Sequence, residues 1–152
     1  MHRIVTRRAV ELLALAIVIL LPACRQNTAL ELKTPAQRVA VYNGVLAESV
    51  HAATEAAISL ETSGVLTRAQ ALRVLDYTGR AASASNAVAL IQQKPGDWTV
   101  LAPQIRTALN NIPPPGELAT WLTASPGQSK ELSACLDAVQ SAVAILVAEV
   151  SK

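Results

Sequence analysis

The chain has 152 residues, 51% of them apolar but only 3% aromatic with no Phe, which is enough for one domain with a Leu, Val, Ile and Ala core. Its formal charge of +2 comes entirely from Arg3, Arg7, Arg8 and Glu11; the remainder holds ten basic and ten acidic residues and so lacks the electrostatic footprint of a nucleic-acid binder. Two cysteines, Cys24 and Cys135, are too few for a disulfide framework.

The three N-terminal arginines precede residues 12–23, LLALAIVILLPA, twelve residues without a charge, after which the chain turns polar at Arg25, Gln26 and Asn27. A membrane-spanning helix needs about 20 apolar residues. Glu11 blocks extension upstream, so this stretch is too short to span. A basic leader, a short apolar core and a small residue before the cut form the pattern of a secretory signal peptide.

The stretch ends in Leu21, Pro22, Ala23 and Cys24. This ending resembles the lipobox of bacterial lipoprotein precursors, with an aliphatic residue three before an invariant cysteine and a small residue directly before it. Pro22 departs from the small or hydroxyl residue usual at its position. The resemblance implies cleavage between Ala23 and Cys24, diacylglycerol on the Cys24 thiol and a new amino group open to acylation. The mature protein would then be exported and lipid-anchored at the periplasmic face of a bacterial membrane, since two acyl chains suffice for stable anchoring. Arg25 stands where enterobacterial lipoproteins retained at the inner membrane carry aspartate, which favours the outer membrane. The competing readings are an ordinary signal peptide with an incidental Cys24 and an uncleaved short anchor. The length of the apolar core opposes the latter.

The organisation expected is a signal peptide over residues 1–23, a lipidated cysteine and polar tether over 24–33, and one helical domain over 34–152. Within that domain Thr34 and Gln37, Thr67 and Gln70, and Ser125 and Gln128 each have the spacing of a capping box, in which hydroxyl and glutamine satisfy each other's backbone N–H groups. Pro35 and Pro126 follow two of these caps at the first helical position, where a missing N–H costs nothing. Long helices are therefore expected over residues 35–62, 68–93 and 126–150. Val39, Tyr42, Leu46, Ala53, Ala56 and Leu60 recur on one face of the first. Leu72, Leu75, Ala82 and Leu90 are among the apolar positions of the second, and Leu132, Leu136, Val139, Val143 and Leu146 mark the last.

Residues 95–124 are long enough for another antiparallel pass, but five of the eight prolines fall there: Pro95, Pro103, Pro113, Pro114 and Pro115. A continuous helix is incompatible with that spacing. A helical piece over residues 103–110, a Pro-Pro-Pro stretch and a short helix over 117–122 are expected instead. The fold class is all-α: an antiparallel bundle of three long helices plus a Pro-broken third pass.

Arg38, Val39, Tyr42 and Gly44 recur as Arg73, Val74, Tyr77 and Gly79, an offset of 35. Two copies without a repeat signature read as two helices with similar packing demands. A hairpin turning near Gly64 would bring Gly79 roughly opposite His51, and a mid-helix glycine usually has a packing reason. A close helix crossing is predicted there.

No nucleophile elbow, Ser-x-x-Lys pair or glycine-rich phosphate loop appears. His51, alone after leader removal, has no partner for catalysis, and no metal site is expected. Glu48, Glu55 and Glu61 read as a solvated helix face, and Cys135 as a small buried hydrophobe. Both tryptophans, Trp98 and Trp121, lie with Pro113, Pro114 and Pro115 in the broken segment. Trp is enriched at binding hot spots, and loops on a rigid scaffold carry function. The competing view is that both rings simply cover the bundle. The function expected is non-enzymatic: a lipid-anchored bundle contacting another envelope protein through residues 98–121, with no cofactor beyond the lipid on Cys24. A carrier or sensor of a small apolar ligand is the alternative, followed by an envelope hydrolase or a phage exclusion lipoprotein.

Overall fold

The computed structural model describes residues 34–113 and 130–152, and within them the chain is helical with no strand. Four helices follow in order: α1 (Pro35–Thr62), α2 (Arg68–Gln92), α3 (Trp98–Leu109) and α4 (Lys130–Glu149). The first two expected caps are present. The Gln37 N–H donates to Thr34 Oγ1 at 3.3 Å and the Thr34 N–H to Gln37 Oε1 at 3.0 Å. Gln70 and Thr67 repeat the exchange at 3.3 and 2.9 Å. Such a cap is worth about 1 kcal/mol. The third box, at Ser125 and Gln128, lies outside the described residues, as does the short helix expected over 117–122.

α1 stops at Ser63, and Gly64 takes a left-handed φ of 74°. Val65 and Leu66 then both donate to the Leu60 carbonyl, closing the helix end. The chain reverses, and α2 descends beside α1. Three contacts record the antiparallel register: Thr54 Oγ1 to Thr78 Oγ1 at 3.1 Å, Asn43 Nδ2 to the Ser85 carbonyl at 3.0 Å, and Gln92 Nε2 to the Ala36 carbonyl at 3.0 Å. α4 packs against the other flank of α1, also antiparallel, since Arg38 in the first turn of α1 meets Glu149 at the end of α4. α3 packs on α2 and touches α4.

The core joins Val39, Leu46, Val50 and Ala53 of α1 to Val74, Tyr77, Ala81 and Val88 of α2, Leu101, Ile105 and Leu109 of α3, and Leu132, Leu136, Val139 and Leu146 of α4. The small residues in this set let the helices approach closely. By length and composition alone α4, with a mean hydropathy of 1.5, could cross a membrane. Its leucine stripe is instead spent on the core.

Two local expectations are corrected, the start of α3 and the crossing at Gly79. α3 begins at Trp98, five residues before the expected start, and carries Pro103 inside it. Asp97 supplies an extended N-cap residue whose carbonyl accepts from Val100 and Leu101 at 2.9 and 3.2 Å. Burial of Leu101, Ala102, Ile105, Ala108 and Leu109 offsets an interior proline's cost of about 3 kcal/mol. On α2, Leu72 and Leu90 are 54% and 62% exposed. The buried stripe runs instead through Ala71, Val74, Tyr77, Thr78, Ala81, Ala84, Ser85, Val88 and Ile91. The close crossing at Gly79 is absent: a Cβ there would meet nothing within 4 Å, and both Gly79 and His51 are exposed. Their levels along the hairpin do correspond, but each points outward, and Thr54 and Thr78 occupy the interface at that height.

Candidate functional site

At 1.5 Å per residue α2 is about 37 Å long and α3 about 18 Å. α3 therefore lines only the C-terminal half of α2, and where it ends a groove opens along the outer flank of α2. Its volume is about 410 Å³. Leu75, Gly79, Ala84, Ala87 and Ala108 supply its apolar lining, and Asp76, Arg80, Ser83 and Asn111 its polar one. Asp76 and Arg80 form an exposed ion pair at 3.1 Å, one helical turn apart. Small side chains at 79, 83 and 87 recur every four residues, so α2 presents a shallow track. That periodicity was the available sequence signal for the groove. The groove lies beside the main core, not within it.

Trp98 is half-buried and packs against the core. Pro113 lies past the other end of α3, also half-buried. The structure thus places these two candidate residues at opposite ends of one helix. Pro114, Pro115 and Trp121 lie outside the described residues, as do Ala23 and Cys24 of the lipobox-like ending.

A polar cluster not singled out from sequence sits where α1 begins and α4 ends. Arg38 Nε lies 2.7 Å from Glu149 Oε2, and Lys152 Nζ lies 2.6 Å from Glu149 Oε1. Arg106 of α3 adds a hydrogen bond to the Val150 carbonyl at 3.0 Å. The hydrogen bond from Lys152, then that from Arg38, holds the Glu149 carboxyl below its usual range in spite of burial, which acts the other way. This arrangement clamps three helices and leaves the carboxylate committed to its partners.

The remaining titratable candidates are dispersed. His51, Glu48 and Glu55 are exposed on α1 and Glu61 is half-exposed. Cys135 is a free, half-buried thiol whose pKa is pushed up by burial and, secondarily, by Glu131. Among the described residues no three His, Cys, Asp or Glu side chains cluster as metal ligands.

Comparison with protein-family models, with curated proteins and with solved structures finds no match to this chain.

Proposed function

We propose that the chain is a non-enzymatic lipoprotein of the bacterial envelope, anchored through a lipidated Cys24, with the outer membrane favoured. Residues 25–33 serve as the tether. The domain over 34–152 is an antiparallel bundle of three long helices with a Pro-broken third pass, and it makes contact with another envelope protein. The observation that carries the contact reading is the half-length α3. It leaves a groove on a rigid helical scaffold at the start of the Pro113, Pro114, Pro115 and Trp121 segment. Surface of mixed apolar and polar character suits recognition of a partner side chain or helix.

Two measurements test this reading. Metabolic labelling with a fatty acid should mark the protein, globomycin should block its processing, and Cys24→Ala should abolish the label. Cross-linking in intact cells from Ser83 or Asn111 should capture a partner that the Trp98→Ala, Trp121→Ala double variant loses while remaining folded. Retention of every partner by that folded variant would remove residues 98–121 as the contact surface.

A further inference from the structure

We propose that the turn between α2 and α3 rests on the bilayer that holds the anchor, so that the bundle stands with this pole towards the membrane and its Ser63 turn away from it. The inference depends on the lipoprotein reading above and adds an orientation to it.

Three chain ends meet at this pole. Gln92, at the end of α2, bonds the Ala36 carbonyl in the first turn of α1, and Glu149, at the end of α4, pairs with Arg38. Covalent continuity does the rest. The ten residue steps from Cys24 to Thr34 reach at most about 36 Å when fully extended. α1 alone is about 42 Å long. The tether therefore bounds how far Thr34 can lie from the anchor, at less than the length of α1, and sets no such bound on the Ser63 turn.

The side chains at this pole fit a headgroup layer. Leu90 and Val100, 62% and 58% exposed, have the highest exposure of any large apolar side chains among the described residues, and they flank the turn on either side. Lys94 is exposed within the turn. Apolar bodies leave water in such a layer, and a lysine ammonium reaches phosphate. Asp97 is the acidic member of the turn, and Lys152 adds a second exposed ammonium at the end of α4. Leu72, 54% exposed in the second turn of α2, lies towards the opposite pole and supplies a control of matching chemistry. With the turn against lipid, the groove beyond the end of α3 faces away and stays open to a protein partner.

The test uses the full chain, lipidated in cells and reconstituted into vesicles of phosphatidylethanolamine and phosphatidylglycerol. In a Cys135→Ala background an environment-sensitive fluorophore is placed at Leu90→Cys, Val100→Cys or Leu72→Cys. Headgroup-spin-labelled lipid is expected to quench emission at positions 90 and 100 and leave position 72 unquenched. Equal quenching at all three positions, quenching at 72 alone, or none at any position on protein that floats with the vesicles overturns the orientation and leaves the anchor standing. Protein that fails to float with vesicles overturns the anchor and the orientation together.

Discussion

Arg38 Nε stands 2.7 Å from Glu149 Oε2, tying the first turn of α1 to the end of α4 across 111 positions of sequence. Lys152 holds the other carboxylate oxygen at 2.6 Å, and the Glu149 side chain is only 9% exposed. The carboxyl pKa in the fold is accordingly held below the usual 4.5, by the Lys152 and Arg38 hydrogen bonds acting against burial. The unfolded chain then binds this proton more readily than the fold does. The stabilisation is complete above the unfolded value and is lost as pH falls through the lower folded one. Glu149→Gln should cost about 1.5–3 kcal/mol at neutral pH, the range for hydrogen bonds to charged groups. It should also flatten the acid limb of stability. Urea midpoints measured from pH 7 down to about pH 3 on both proteins check this; identical limbs would refute it.

Gly79 has open space where a side chain would go, and its backbone is helical. Gly79→Ala should therefore stabilise the protein, by up to about 1 kcal/mol, because Ala loses less backbone entropy in a helix. Gly79→Leu should fold as well and project into the groove of α2. Thermal unfolding tests the first statement. Loss of cross-linking from Asn111 in folded Gly79→Leu tests the second.

Asn43 is buried at the α1 and α2 interface with Nδ2 bonded to the Ser85 carbonyl, while Oδ1 has no hydrogen-bond partner among the described residues. Asn43→Ala removes one hydrogen bond worth about 1 kcal/mol but also removes an unpaired buried oxygen that costs a similar amount. Its net effect should stay within about 1 kcal/mol of the parent. Leu46→Ala, three residues on and fully buried, should cost about 2–5 kcal/mol through lost burial and a cavity. Denaturant unfolding of the two variants side by side measures the contrast, and equal losses would contradict it.

Burial and, to a lesser degree, Glu131 raise the Cys135 pKa, so the reactive thiolate is scarcer than in an open peptide. The folded protein should react with a thiol-specific disulfide reagent more slowly than the same chain in denaturant, with the gap narrowing at alkaline pH. A rate in the fold matching the denatured one would show the site to be open.

Much of the architecture was legible because its causes are local. Thr34 with Gln37 and Thr67 with Gln70 lie three residues apart, so their reciprocal bonds follow from helix geometry before any packing occurs. Gly64 marks its turn for the same reason: it takes the left-handed φ that ends α1. On α1, Val39, Leu46 and Ala53 of the buried stripe were legible from their helical spacing. The stripe on α2 was less so, because Thr78, Ser85 and three alanines, Ala71, Ala81 and Ala84, make up more than half of its buried face while Leu72 and Leu90 face outward. Counting apolar residues could not rank Ala above Leu for burial. Pro103 misled in a similar way, since the proline rule gives a local cost and the burial of Ile105 and Leu109 that outweighs it is not local.

The candidate site divides along the same line. Trp98 and Pro113 could be named from residue type and from the prolines around them, and the lipobox-like ending at Cys24 is a linear signal. The sequence by itself determined the all-helical class, the places where α1 and α2 begin, and the neutral balance of charge over residues 12–152. Only the tertiary structure decided that α3 stops halfway along α2, that Gly79 faces a groove and not His51, and that Glu149 is held between Arg38 and Lys152. Capping and periodicity act over three or four residues, whereas a helix's rotation about its axis and its stopping point relative to a neighbour depend on how every stripe packs at once.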